Sequence, residues 1–242
     1  MPGFFVPDAP AAGEERRISG EDAAHVSRSL RMRVGEHITL VGGGYESDTV
    51  IERITPDCVF VRSLSKERCE SEPPRRYRLF QCLPKGEKTD TVIQKAVETG
   101  VFDITPVISS RVISRPDERS AEGKTARWNR IAGNAAMQCG RGIIPEVHPP
   151  VPFAAAAEAM RNMTSFFCWE KGGTPLNEYL QSIPPEGDMA FFIGAEGGIS
   201  DEEAGILRSN GAVPVWLGHR ILRCETCAPF VLACLSYASG MK

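Results

Sequence analysis

Two glycine-bearing runs hold the residues of this chain best suited to chemistry. The first is Phe191-Phe192-Ile193-Gly194-Ala195-Glu196-Gly197-Gly198-Ile199-Ser200, and the second is Trp216-Leu217-Gly218-His219-Arg220-Ile221-Leu222-Arg223-Cys224-Glu225-Thr226. Each reads as a loop leaving the carboxyl end of a short apolar strand. Ligands bind there in parallel α/β sheets, because crossover helices cover the faces and leave the strand ends open. Glycines let backbone N–H and C=O groups approach a flat heterocycle, and Ile193, Leu217, Ile221 and Leu222 can enclose its ring. Phosphate-bearing cofactors fit poorly. The first run lacks G-x-G-x-x-G, the chain has no G-x-x-x-x-G-K-[ST], and the Glu196 charge would repel a phosphate. The pattern suits an adenine-bearing cofactor without phosphates, such as S-adenosylmethionine; the competing reading is two ordinary turns at strand ends.

Alternating elements must position these loops. Tyr77 to Leu83, Ile104 to Ile108, Ser165 to Trp169, Met189 to Ile193 and Val213 to Leu217 read as strands. Between them, Thr89 to Thr99 predicts a helix with Val92, Ile93, Ala96 and Val97 on one face, and Ala126 to Cys139 and Phe153 to Met160 predict two more. Ser200-Asp201-Glu202-Glu203 has the form of a capping box opening a helix that Gly211 closes. Thr226 is expected to cap a final helix, with Pro229 in its first turn. Such alternation predicts an α/β fold, a mostly parallel sheet with helices on both faces. Residues 1–72 read differently. A second capping-box sequence, Ser19-Gly20-Glu21-Asp22, predicts a short helix to about Leu30, followed by strands over 37–41, 46–54 and 58–64 around Gly42-Gly43-Gly44-Tyr45. Pro73-Pro74 ends a charged stretch and marks a linker, giving a small strand-rich domain over 1–72 and an α/β domain over 75–242.

Composition narrows the function. A net charge of −3 over 242 residues excludes a generally basic nucleic-acid coat. Residues 1–72 hold 9 Lys/Arg against 13 Asp/Glu, so basic side chains act as local patches if they meet RNA. Candidates are Arg16-Arg17, Arg28, Arg31 and Arg33, Arg75-Arg76-Tyr77-Arg78, and the stretch from Arg111 through Arg115 to Arg141. No apolar run reaches the roughly 20 residues of a membrane span and no leader pattern stands at the start, so a cytoplasmic protein with no membrane partner is expected. The 8 cysteines then read as reduced core thiols. Cys224-Glu225-Thr226-Cys227 matches C-x-x-C without a second pair, and no metal is expected.

The block from Phe192 to Glu203, with Leu217-Gly218-His219-Arg220-Ile221-Leu222-Arg223-Cys224-Glu225-Thr226, resembles the signature of the bacterial 16S rRNA uridine-N3 methyltransferase family, within the SPOUT superfamily of knotted methyltransferases. Upstream, Leu83-Pro84-Lys85-Gly86-Glu87-Lys88, Gln94 to Val101, Arg127-Trp128 and Ala135 to Arg141 are similar to the family's opening strand, helix and middle segment. His25 to Gly35 resembles its small PUA-like RNA-binding β-barrel. The resemblance covers essentially the whole chain. It departs from the family pattern at Ala195 (usually Pro), Met137 (usually an acid), and Cys224 and Cys227 (usually Thr and Ala).

The resemblance implies a deep C-terminal trefoil knot, a rare exception to unthreaded topology, and a homodimer to which the final helix, with Phe230, Val231, Leu232 and Leu235, contributes. It implies S-adenosylmethionine as cofactor and 16S rRNA of the small ribosomal subunit as partner. The cofactor would meet Ile193, Gly194, Ala195, Glu196, Gly197, Leu217, Gly218, Ile221, Leu222, Arg223 and Thr226, with Cys168-Trp169-Glu170 alongside. Uridine N3 must lose its imide proton to become nucleophilic, so Arg220 or Arg223 is expected to stabilise the developing anion, with Gln138 and Arg141 orienting the base; the competing reading is that Arg223 ties the loop to Glu225 or a helix end. Lys85, Lys88, Arg111 and Arg115, with Arg28, Arg31 and Arg33, are expected phosphate contacts. The alternatives are another RNA methyltransferase of the superfamily, acting on a ribose hydroxyl or a tRNA base, and a non-catalytic RNA-binding assembly factor on the same scaffold.

Overall fold

Strand-forming residues fall into two separate sheets in the computed structural model, which describes residues 2–86, 88–112, 118–184 and 187–240. The chain divides into two units, one made of Met1–Glu72 with Ala136–Ile144 and the other of Pro73–Ala135 with Pro145–Lys242.

The first unit contains β1 (Gly3–Phe5), β2 (Glu15–Ser19), α1 (Gly20–Ala24), a π-helical turn (His25–Ser29), β3 (His37–Gly42), β4 (Tyr45–Ile54), β5 (Cys58–Ser63) and β6 (Glu67–Arg68). Its strand order is β1-β3-β4-β5-β2, with β6 on β4. The β1–β3 pair is parallel and the other pairs are antiparallel. Period-two alternation turns Ile38 and Leu40 of β3 and Val59 and Val61 of β5 inward, where they pack with Ile18, Val26 and Ile51. The capping box expected at Ser19 does not form. Ser19 is the last residue of β2, extended at φ −138° and ψ 172°, and its side chain makes no cap bond, so the helix runs five residues before widening into the π turn.

Residues 136–144 belong to this unit through a buried ion pair. Glu72 accepts from Arg141 Nε at 2.9 Å and Nη2 at 2.8 Å, and from the Gly142 N–H at 2.7 Å. Gly142 lies so close to Cys69 that an added Cβ would stand 2.5 Å from the Cys69 Cβ.

The second unit contains β7 (Tyr77–Cys82), α2 (Lys88–Glu98), β8 (Asp103–Ile108), α3 (Glu118–Cys139, whose last turn joins the first unit), β9 (Glu146–Val147), β10 (Val151–Pro152), α4 (Phe153–Ala159), β11 (Thr164–Cys168), β12 (Thr174–Pro175), α5 (Leu176–Ser182), β13 (Met189–Ile193), α6 (Asp201–Ser209), β14 (Val213–Trp216) and α7 (Cys224–Ala238). The strand order is β10-β8-β7-β13-β11-β14-β12, with β9 on β8, and every pairing is parallel. The central strand β13 is buried throughout, as an apolar run covered on both faces must be. Phe191 stacks on Phe166 with centroids 5.7 Å apart, and Phe192 meets Phe153 edge-on at 5.5 Å.

Helix α7 packs on α2 and β13. Val231, Leu232 and Leu235 point into this core and are fully buried, so the intersubunit contact expected of these three is corrected: they are ordinary core residues. Tyr77 Oη and Ser239 Oγ, 2.7 Å apart, tie the end of α7 to β7. Among the described residues no helix is long and apolar enough to cross a membrane.

Candidate active site

Both glycine loops meet in one cavity of about 470 Å³ at the carboxyl ends of β11, β13 and β14. Ile193 to Ile199 form one wall, Trp216 to Leu222 with the first turn of α7 another, and Cys168, Trp169 and Glu170 a third. A volume of this size suits a small organic cofactor. The 194–198 turn is closed by the Gly198 N–H donating to the Ala195 carbonyl at 2.9 Å. An added Cβ at Gly194 would stand 2.9 Å from the Gly198 carbonyl carbon, and Gly198 has φ +71°, so both positions require glycine. Directly after the turn, the capping box forms as expected: Ser200 Oγ accepts from the Glu203 N–H at 3.1 Å, and Glu203 accepts from the Ser200 N–H at 3.0 Å.

Glu203 reaches further than a cap. Its other oxygen accepts from the Ser110 N–H at 2.8 Å, tying the loop after β8 to the start of α6. Burial opposes its charge, but the hydrogen bonds from Ser110 and Ser200 outweigh that and hold its pKa below the ordinary glutamate value.

A string of charges borders the cavity. Glu196 accepts from the Lys85 N–H at 3.0 Å and from Lys88 Nζ at 3.2 Å, and Lys88 Nζ lies 3.6 Å from Glu225. Burial disfavours the Glu196 carboxylate, yet these donors leave its pKa lowered, while Glu196 foremost raises that of Lys88. Glu170 lines the same cavity and makes no hydrogen bond or ion pair among the described residues. Three thiols lie in the wall. Cys168 is pushed up by its Cys227 neighbour and by burial, and burial, with Glu225 beside it, pushes Cys224 up to about 12. Raised in this way, the Cys168 and Cys224 thiols stay protonated and are poor nucleophiles. No group of three or more potential metal ligands occurs among the described residues.

The expected cofactor residues Ile193, Gly194, Ala195, Glu196, Gly197, Leu217, Gly218, Ile221, Leu222 and Arg223 all line this cavity. Thr226 does not: it is exposed on the first turn of α7. Nor does it cap that helix, whose N-cap is Arg223. Arg220 and Arg223 stand exposed at the lip, their guanidinium groups without a hydrogen bond or ion pair among the described residues. Lys88 is in the cavity wall, Lys85 contributes its backbone N–H, and the Arg111 guanidinium donates to the Gly197 carbonyl. Arg115 lies outside the described residues. Gln138 and Arg141 do not line the cavity. Gln138 is exposed on the last turn of α3, whereas Arg141 is 4 % exposed and committed to Glu72, so its expected contact with a base is corrected to a structural one. Sequence reasoning placed Cys168 beside the cofactor but missed Lys88 and Cys227 as cavity residues, because both depend on which elements the sheet order brings together.

A parallel α/β unit with a glycine-built cavity at its strand ends defines the class, and residues 71–236 match the RNA methyltransferase domain family. The structure resembles that of a ribosomal RNA small subunit methyltransferase E from Neisseria gonorrhoeae bound to S-adenosyl methionine, with 30% identity, TM-score 0.84, and 98% of this chain and 97% of that one covered. A methyltransferase of Legionella pneumophila in complex with the same cofactor is 33% identical, with TM-score 0.81 and 98% of both chains covered. The ribosomal RNA small subunit methyltransferase E of Bacillus subtilis is 27% identical over 93% of this chain and 90% of its own length. The chain belongs to the ribosomal RNA small subunit methyltransferase E family.

Proposed function

We propose that this protein methylates N3 of a uridine in the 16S rRNA of the small ribosomal subunit, using S-adenosylmethionine. The observation that carries this reading is the single cavity built by both glycine loops, with Arg220 and Arg223 at its lip. The residues fit the cofactor. The close turn at Gly194 and Gly198 leaves backbone groups open to an adenine edge, Ile193, Ile199, Leu217 and Leu222 offer apolar walls, and the Glu170 carboxylate favours a cationic ligand. When bound, S-adenosylmethionine supplies an electrophilic methyl group on a sulfonium sulfur.

The protein's own part is to bind, orient and stabilise. A neutral imide nitrogen is a poor nucleophile, and a guanidinium group beside the base lowers the cost of losing the N3 proton. Arg220 and Arg223 take this role because both are exposed, border the cavity and make no hydrogen bond among the described residues, although Arg223 also acts through its charge on Glu225. Gln138, exposed on α3, is left to orient the base or the RNA around it. Lys85, Lys88 and Arg111 remain phosphate contacts at the rim, though Lys88 and Arg111 also brace the 194–198 turn. Arg28, Arg31 and Arg33 form an exposed basic stretch on the first unit, where Arg31 holds φ 55°, a left-handed conformation uncommon for a non-glycine residue. A PUA-like role for that unit rests on this stretch.

The reading extends to the architecture. Insertion of β13 between β7 and β11, with α7 packed back on α2, supports a trefoil knot. A groove of about 840 Å³ between α5 and α7, lined by Leu176, Leu180, Phe230 and Tyr237, supports a homodimer, and it shares Trp216, Leu217 and Gly218 with the cavity. The site of action is the cytoplasm, where the small subunit is made.

The test is incubation with methyl-labelled S-adenosylmethionine and small subunits from cells lacking the activity, followed by digestion and nucleoside analysis. Label in 3-methyluridine is expected. Label in another nucleoside would reject N3, and cofactor binding without label in any RNA would reject catalysis.

A further inference from the structure

We propose that Ile221 is a base-displacing wedge: it enters the RNA stack beside the target uridine and occupies the space the base leaves as it turns into the cavity. This rests on the methyl-transfer reading above. N3 lies on the edge a uridine uses for pairing, and a stacked or paired base cannot present that atom to a recessed cofactor. Apolar side chains are a common wedge between base steps, and arginines fix such a wedge on the backbone through phosphate contacts.

Ile221 meets that description in three respects. It is 78 % exposed, and among the described large apolar residues only Tyr237 is more so. It stands at the mouth of the cavity, on the loop between β14 and α7, so its outward position coincides with the route of a substrate. Arg220 precedes it and Arg223 follows two positions on, both exposed, with guanidinium groups bonded to nothing among the described residues. An apolar tip between two such cations suits a base step and its phosphates. As an adenine wall Ile221 is badly placed: a side chain this open encloses little, whereas half-buried Leu222 beside it turns inward.

The experiment measures single-turnover methyl transfer to unmethylated small ribosomal subunits for the wild type and for Ile221→Ala, Ile221→Thr and Ile221→Met, with calorimetric Kd for S-adenosylmethionine and thermal midpoints alongside. Alanine removes the wedge, threonine keeps the branched shape but makes it polar, and methionine keeps the apolar bulk. The expected result is a rate constant lowered about tenfold or more for Ala and Thr and within about threefold of wild type for Met, at unchanged cofactor Kd and thermal midpoint. A wild-type rate in Ile221→Ala would overturn the proposal. So would a cofactor Kd that rises by the factor the rate falls, since Ile221 would then be a pocket wall. If the wild type itself leaves no label in small-subunit RNA, the methyl-transfer reading falls and the wedge falls with it.

Discussion

Arg220 and Arg223 differ from Arg78 and Arg161 in what holds them. Arg78 is tied to Asp103 and Asp188, and Arg161 to Glu158 and Asn210, so those charges are used within the fold. The pair at the cavity lip makes no hydrogen bond or ion pair among the described residues, and only Arg223 has a charge partner, Glu225, which it influences at longer range. Replacing each with alanine is expected to lower turnover about 10²-fold, the usual effect of removing a donor aimed at a developing anion. Full turnover in both variants would exclude them from the chemistry. Gly194→Ala acts on the other partner. Its Cβ would stand 2.9 Å from the Gly198 carbonyl carbon, so the turn must move, and cofactor affinity measured by calorimetry is expected to fall about tenfold, or 1.4 kcal/mol. At this scale the sequence was legible where a residue's role is local: glycine spacing and strand-end position pointed to the two loops and to Ile193, Leu217, Ile221 and Leu222 as walls, and the family resemblance supplied the other six cavity residues. It was not legible for Arg141, whose basic side chain reads the same whether it meets RNA or a buried Glu72, 69 positions away in the chain.

The start of α6 illustrates how one element is fixed at two levels. Ser200 and Glu203 cap it locally, and the same Glu203 holds the loop after β8 through the Ser110 N–H. Glu203→Gln is expected to cost about 1–2 kcal/mol in urea denaturation at neutral pH. Because the folded pKa of Glu203 is lowered, its contribution is complete above the ordinary glutamate value near pH 4 and is lost as pH falls through the lowered folded value. The stability gap between wild type and variant therefore closes on acidification; a gap that stays constant into strong acid would mean the carboxylate charge is not what matters. The capping sequence was readable in advance and its long-range bond was not. The related pattern at Ser19 failed: its fourth residue is the shorter Asp22 rather than a glutamate, and Gly20, directly after the serine, holds φ +68°, outside the helical region. Two-residue strands such as β9 and β12 escaped notice because they exist only by pairing with β8 and β14.

For the whole molecule, the apolar character of α7 divides between two faces. Val231, Leu232 and Leu235 serve the core, leaving Phe230 and Tyr237 beside the groove along α5. Tyr237, 81 % exposed, is expected to anchor a second copy, so Tyr237→Glu should shift sedimentation from a dimer towards the 26.4 kDa chain. A wild-type protein that already sediments as one chain would refute this. Neutralising Arg28, Arg31 and Arg33 together is expected to weaken RNA binding and flatten its dependence on salt, each lost phosphate contact reducing the slope. An unaltered salt slope would remove the first unit from RNA recognition. The two units divide between Glu72 and Pro73, and no linear boundary could anticipate that residues 136–144 return to the first unit. That return has a consequence for biosynthesis. As the chain emerges from the ribosome, the first 72 residues wait with the Glu72 carboxylate unanswered and the surface of Cys69 uncovered until Arg141 and Gly142 follow. The N-terminal piece is therefore no transplantable cassette: cut at its apparent border it loses the bidentate Arg141 partner of Glu72 and the Gly142 backbone that packs on Cys69.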